Sequence, residues 1–156
     1  MAIDGDLRLP SLAGYLGHHS AVGLSEVLDG DIELKDAIVK LEPSGLHLLP
    51  GGHQRDDVGE LMSGPRFANI LADAQNLFDF VIIDAPPLSV FVDAKVLINQ
   101  TDGTLLVLRS NYTNCKDLAR VLEDLPRDRM LGVVLNQADE TLISGRYYDY
   151  PYYRRD

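Results

Sequence analysis

Phe80-Val81-Ile82-Ile83 is a short apolar run, rich in β-branched residues and set between Asp79 and Asp84. It narrows the possible folds more than any other segment. Such a run, bounded by polar residues, reads as a strand buried on both faces of a parallel sheet. Thr104 to Leu108 and Leu131 to Leu135 repeat the pattern. Gly45 to Leu49 is a weaker version ending in the Pro50-Gly51-Gly52 turn, and Ala2-Ile3 reads as the tail of a fifth strand. Between these runs the apolar residues change period. They recur at 34, 37, 38 and 41 within Leu34 to Leu41, and at 67, 70, 71 and 74 within Arg66 to Leu77. They recur again at 118, 121, 122 and 125 within Lys116 to Leu125. Each set forms one helical face. Val92 to Ile98 predicts a further short helix, with Asp93 near its start. Strands alternating with helices predict an α/β domain with a mostly parallel sheet and flanking helices. There is no internal repeat, and the periodicity stops at Ser144. The predicted organisation is therefore one domain over residues 1–143 and a tyrosine-rich tail over 144–156.

Charge and composition remove several function classes. With 24 acidic against 14 basic residues the formal net charge is -10, which argues against binding a nucleic-acid duplex, since that needs a basic face. The lone Cys115 excludes an internal disulfide framework and a cysteine-based zinc site. No run of apolar residues is long enough to span a bilayer, so direct membrane insertion is not expected. No secretory leader pattern is present, and the reading places the chain in the cytoplasm.

Two segments carry chemistry. Ile3-Asp4-Gly5-Asp6-Leu7-Arg8-Leu9-Pro10 leaves the end of a strand with two acids and an arginine. In an open parallel sheet, ligands bind outside the carboxyl ends of the strands. Two carboxylates at this spacing could orient a hydrated Mg2+ or accept a proton from an attacking hydroxyl, and Arg8 could pair with phosphate or with the acids. The same residues also read as a solvated acidic turn closed by Pro10. In Val81-Ile82-Ile83-Asp84-Ala85-Pro86-Pro87 an apolar strand delivers one carboxylate at its end, where phosphoryl-transfer proteins hold the Mg2+ shell. An Asp ending a strand is also an ordinary turn residue. The two segments reinforce each other because both acids would lie on one sheet edge.

These residues resemble the bacterial tyrosine kinases (BY-kinases), which have a P-loop NTPase-like fold. Asp4-x-Asp6-x-Arg8 followed by Pro10 is similar to their second Walker-type motif, and Ile82-Ile83-Asp84-Ala85-Pro86-Pro87 to their Walker B segment. Gly23-Leu24-Ser25-Glu26-Val27-Leu28, Leu46-His47-Leu48-Leu49-Pro50-Gly51-Gly52, Glu60-Leu61-Met62-Ser63, Asp93-Ala94 and Gly132-Val133-Val134-Leu135-Asn136 follow in the family's order. The cluster Tyr147-Tyr148-Asp149-Tyr150-Pro151-Tyr152-Tyr153 resembles the family's C-terminal tyrosines. The resemblance implies ATP and Mg2+ as cofactors, with Asp4 and Asp84 holding the metal shell. It implies that Asp6 activates the incoming tyrosine hydroxyl and that Arg8 supports the phosphate or the acids. Asn136 is implied as an adenine contact. Tyr147, Tyr148, Tyr150, Tyr152 and Tyr153 are implied as autophosphorylation sites, reached in trans within a homo-oligomeric ring. The implied role is in capsule and exopolysaccharide synthesis, with a membrane polysaccharide co-polymerase as partner. The implied location is the inner face of the membrane, reached through that partner or a missing N-terminal region.

One family element is absent from the sequence. A phosphate-binding loop of the form G-x-x-x-x-G-K-[ST] cradles phosphates with its amides and neutralises them with its lysine. The lysines are Lys35, Lys40, Lys95 and Lys116, and none follows a glycine. The expectation is an N-terminally truncated domain lacking the P-loop strand and its helix. It should expose an unpaired strand edge and be inactive alone. Two other readings are a non-catalytic module docking on a co-polymerase and a fragment of a partitioning or cell-division-site ATPase. The tyrosine tail argues against the ATPase. His18, His19, His47 and His53 show no partner in the sequence, and Cys115 at a helix start reads as incidental.

Overall fold

The computed structural model describes residues 1–88, 93–123 and 125–138. The chain divides into two compact units, Met1–Gln100 and Thr101–Asp156.

The first unit is built on strands β1 (Ala2–Asp4), β2 (Val39–Leu41), β3 (Leu46–Leu49) and β4 (Ile82–Asp84). They form one sheet in the order β2-β3-β1-β4. β1 runs parallel to both β3 and β4, while β2 is antiparallel to β3. The chain therefore places its first strand in the interior of the sheet, where Ile3 is fully buried. Short helices α1 (Leu12–Tyr15), α2 (Leu24–Asp29), α3 (Leu34–Ala37) and α4 (Val58–Ser63) join α5 (Pro65–Leu77) and α6 (Asp93–Gln100) around it. Leu7, Leu24, Leu49, Val58, Met62, Phe67 and Leu97 belong to one buried apolar cluster.

Local sequence explains two of these helices. Pro65 opens α5 just after Gly64, a position where its missing N–H costs nothing. The helix buries Phe67, Ile70, Leu71 and Ala74, the face its periodicity predicts. In α2, Glu26 reaches back to accept the Gly23 N–H at 2.6 Å. The N–H groups of Leu24 and Ser25 donate to the carbonyls of Pro50 and Gly51. The turn after β3 thus satisfies donors that a helix start leaves open. This needs Gly23, because a Cβ there would lie 2.1 Å from the Pro50 oxygen.

In the second unit β5 (Thr104–Arg109) pairs in parallel with β6 (Met130–Asn136), with α7 (Cys115–Glu123) between them in sequence. Leu106 and Leu125 are buried, but Leu105, Val107, Leu131 and Val133 are exposed.

The α/β class and the mostly parallel sheet agree with the sequence reading. Three details differ. Residues 38–41 were expected to continue a helix, but α3 stops at Ala37 and Val39–Leu41 is a strand. The β-branched pair Ile38-Val39 favours extended backbone, and pairing with Leu48 and His47 supplies the hydrogen bonds. The strand around Phe80 was expected to be buried on both faces. β4 instead occupies the edge of its sheet, with Phe80 and Ile82 exposed. Among the described residues β4 pairs with β1 alone, so an unpaired edge of the expected kind lies on β4. α7 matches its predicted position but buries none of its residues, and the burial at its end comes from Leu125. Residue 92, in the predicted helix start, and the 143/144 boundary lie outside the described residues.

Candidate functional site

β1 and β4 each end in an aspartate, and the parallel register aligns them as Asp4 opposite Asp84. The two carboxylates thus leave neighbouring strands at the same sheet edge. The strands can come this close beyond their ends because the next residue is Gly5. Its N–H donates to the Asp84 carbonyl at 2.8 Å. A Cβ at Gly5 would lie 2.8 Å from the Ile83 side chain and 2.9 Å from the Asp84 carbonyl oxygen.

The loop after β1 wraps around Asp4. Asp4 is 1% exposed. Its Oδ2 accepts the N–H groups of Ser11 and Leu12, each at 3.0 Å, and its Oδ1 accepts the Asp6 N–H at 3.3 Å. Asp6 in turn accepts the Leu9 N–H through Oδ1 at 3.1 Å. Leu7 is buried in the core, and its carbonyl accepts the Arg55 N–H at 2.8 Å. Arg8 points its guanidinium at Asp93, the first residue of α6. Nε donates to Oδ2 at 2.6 Å and Nη2 to Oδ1 at 3.4 Å.

Burial pushes the Asp4 carboxyl above its ordinary value, and the nearby Asp84 charge adds to this. The amides of Leu12, Asp6 and Ser11 oppose the shift without cancelling it. Asp84 is also raised, first by partial desolvation and then by the charge of Asp6. Asp4, Asp6 and Asp84 are therefore electrostatically coupled in one place, as the two sequence segments together suggested. Like charges held together without a cation disfavour their ionised forms.

This donor set fits a Mg2+ shell of limited kind. Among the described residues no three His, Cys, Asp or Glu side chains form a metal centre by themselves. The Asp4 oxygens are already engaged by amides. Mg2+ keeps several of its waters and uses one or two carboxylates plus substrate oxygens. The exposed carboxylate of Asp84 suits a direct or water-mediated contact, and Asp4 suits an outer role.

Asn136 ends β6 in the second unit, at the register position of Arg109. Its side-chain oxygen accepts the Gln137 N–H at 2.9 Å, and its carbonyl accepts the Ser110 N–H. Tyr147, Tyr148, Tyr150, Tyr152 and Tyr153 lie outside the described residues.

Sequence reasoning missed two partnerships. Asp93 was read only as a helix-start residue, and nothing local marks it as the counter-ion of a residue 85 positions earlier. His53 has a partner: its Nδ1 lies 2.6 Å from Glu26 Oε1. Burial would raise the Glu26 carboxyl. Hydrogen bonds from Ser25, His53 and the Gly23 amide outweigh it and hold the group below its ordinary value. His47 packs its ring 5.0 Å from that of Phe78.

A scan against protein-family models finds no match. Among curated proteins the chain is 34% identical over 155 residues to the succinoglycan biosynthesis transport protein ExoP of Rhizobium meliloti, covering 96% of the chain and 20% of ExoP. It is 29% identical over 147 residues to the tyrosine-protein kinase CpsD of Streptococcus agalactiae, covering 92% of the chain and 63% of CpsD. The chain thus spans less than two thirds of each. Among solved structures, the VpsO kinase domain aligns with a TM-score of 0.82 at 32% identity, over 88% of the chain and 70% of that domain. The septum site-determining protein MinD of Pyrococcus horikoshii, solved with Mg-ADP, shares the fold at a TM-score of 0.66 and 26% identity. With the two acid motifs aligned on neighbouring strands of a P-loop NTPase-like α/β fold, the chain belongs to the bacterial tyrosine kinase (BY-kinase) family.

Proposed function

We propose that these residues form the metal-holding and tyrosine-activating part of an ATP-dependent protein-tyrosine autokinase that regulates capsule or exopolysaccharide synthesis. The observation that carries this reading is the register that sets Asp4 opposite Asp84. Asp84, with Asp4 behind it, holds the Mg2+ shell. Asp6, two residues along the same loop, accepts the proton of the attacking tyrosine hydroxyl. When bound, Mg2+ would neutralise charge on the phosphate oxygens. Asn136 contacts adenine, and the five clustered tyrosines from Tyr147 to Tyr153 are the acceptors, reached in trans in a homo-oligomer. The partner is a membrane polysaccharide co-polymerase, and the chain works in the cytoplasm at the inner membrane face. No helix among the described residues is long and apolar enough to cross a membrane.

No Gly-Lys-Ser or Gly-Lys-Thr occurs in the 156 residues. Triphosphate affinity is therefore poor, since acids without phosphate-binding amides and a lysine repel the nucleotide. The purified chain with Mg2+ and ATP should yield no phosphotyrosine. A chimera that adds the phosphate-binding segment of the VpsO kinase domain should yield it, and Asp84→Asn should abolish it there. Phosphotyrosine formed by the 156-residue chain itself would overturn the inactivity. A folded chimera without kinase activity would favour the second reading, a non-catalytic docking module, which the lack of a lysine loop also supports.

A further inference from the structure

We infer that Asp93 is a positioning residue for the acid cluster: by holding Arg8, it fixes the loop after β1 and keeps the guanidinium off Asp6. This rests on the metal role proposed for Asp4 and Asp84 and on the proton-accepting role proposed for Asp6.

The Asp93 side chain is 1% exposed, and that of Arg8 is 28% exposed. A buried carboxylate left unpaired is strongly unfavourable, so this ion pair is obligatory once α6 has packed. α4 closes around it, since a Cβ at Gly59 would lie 3.1 Å from Asp93 Oδ1. The Asp93 charge is therefore held by core packing, and Arg8 is held by its ion pair to it. Arg8 is two residues past Asp6 and four past Asp4, on the loop whose amides bind the Asp4 carboxylate. Pinning Arg8 to α6 fixes the far side of that loop.

The pairing also settles where the positive charge goes. After Asp93, the carboxylates whose charge Arg8 feels are those of Asp56 and Asp6. Without Asp93 the guanidinium would turn toward them. A cation on Asp6 occupies the oxygens the tyrosine hydroxyl needs and cancels negative charge beside the metal-holding Asp84. The sequence reading let Arg8 pair with the acids or with phosphate; the geometry adds an ion pair with a fourth acid outside the cluster.

The test uses Mn2+ as the metal probe, with binding to the purified chain followed by electron paramagnetic resonance. Asp93→Asn should weaken Mn2+ binding about tenfold, the size seen when outer partners of a metal site are removed. Arg8→Gln added to Asp93→Asn should restore it to within about threefold of wild type, because the competing cation is gone. A merely structural role would leave the double variant as weak as the single one, and that result, or an unchanged Asp93→Asn, overturns the inference. A second measurement needs neither variant nor metal. In the 15N spectrum of the wild-type chain the Arg8 Nε–H should be protected from exchange; fast exchange overturns the latch. If wild type binds no Mn2+ while Arg8 Nε–H is protected, the metal role fails and the latch stands.

Discussion

β1 and β4 are neighbouring strands that both end in aspartate at one register, yet they make opposite use of it. β1 is interior to its sheet, Ile3 is fully buried, and Asp4 spends its oxygens on the amides of Asp6, Ser11 and Leu12. β4 is at the edge, Ile82 is 69% exposed, and the Asp84 carboxylate is exposed. The same short pattern, an apolar run capped by an acid, yields a loop anchor in one case and an accessible carboxylate in the other. What separates them is the chain that follows: the loop after β1 closes its Asp6, Ser11 and Leu12 amides over Asp4, while Asp84 stays open to water.

The contrast is sharpest in stability. Ile3→Ala should cost about 2–4 kcal/mol, because it leaves a cavity in the core. Ile82→Ala should change stability by no more than about 0.5 kcal/mol. Urea melts of the two variants check this, and equal losses would erase the distinction between interior and edge strand. The acids should follow the same order. Asp4→Ala strands three backbone donors around a buried position in a partly exposed loop and should cost about 2 kcal/mol. Asp84→Asn removes a like charge from the surface and should be neutral or stabilising, within about 0.5 kcal/mol. Thermal melts of these two, paired with Mn2+ binding, separate anchor from ligand: Asp84→Asn should lose metal while keeping the fold.

The smallest effect is in pH. The folded-state value of Glu26 lies below its ordinary 4.5. Its stabilising contribution is therefore complete above 4.5 and is lost as pH falls through the lowered value. The stability gap between wild type and Glu26→Gln, about 1 kcal/mol, should close below pH 4.5. Asp4 has the opposite sign. Its value is raised above 3.8, so its charge costs stability at neutral pH and acidification through the raised value relieves that cost. Denaturation of Asp4→Asn and wild type across the acid range should show the wild-type disadvantage from this charge shrinking as pH falls. A gap that widened would put the dominant influence on Asp4 in its amide bonds instead of its burial.

Much of this was legible in the residues. The buried face of α5 reads directly from the spacing of Phe67, Ile70, Leu71 and Ala74, because helical period and burial are both local properties. The strands of the acid motifs were legible for the same reason. Val39–Leu41 was misread as helix because Leu34, Ala37, Ile38 and Leu41 happen to fit a helical face; the partner β3 decided the matter. The exposure of β4 was not legible, since an apolar run does not say how many strands will flank it. Nor was the partner of Arg8. The sequence offered two acids beside it, Asp4 and Asp6, and packing of α6 brought in Asp93.

By itself the sequence determined an alternating α/β chain, two acid motifs at strand ends and the absence of a lysine loop, because each is written in a few consecutive residues. Only the tertiary structure decided that Asp4 faces Asp84, that Asp4 anchors its own loop, and that Arg8 pairs with Asp93. Register, burial and ion-pair choice depend on segments up to 85 positions apart, and they are set when those segments pack.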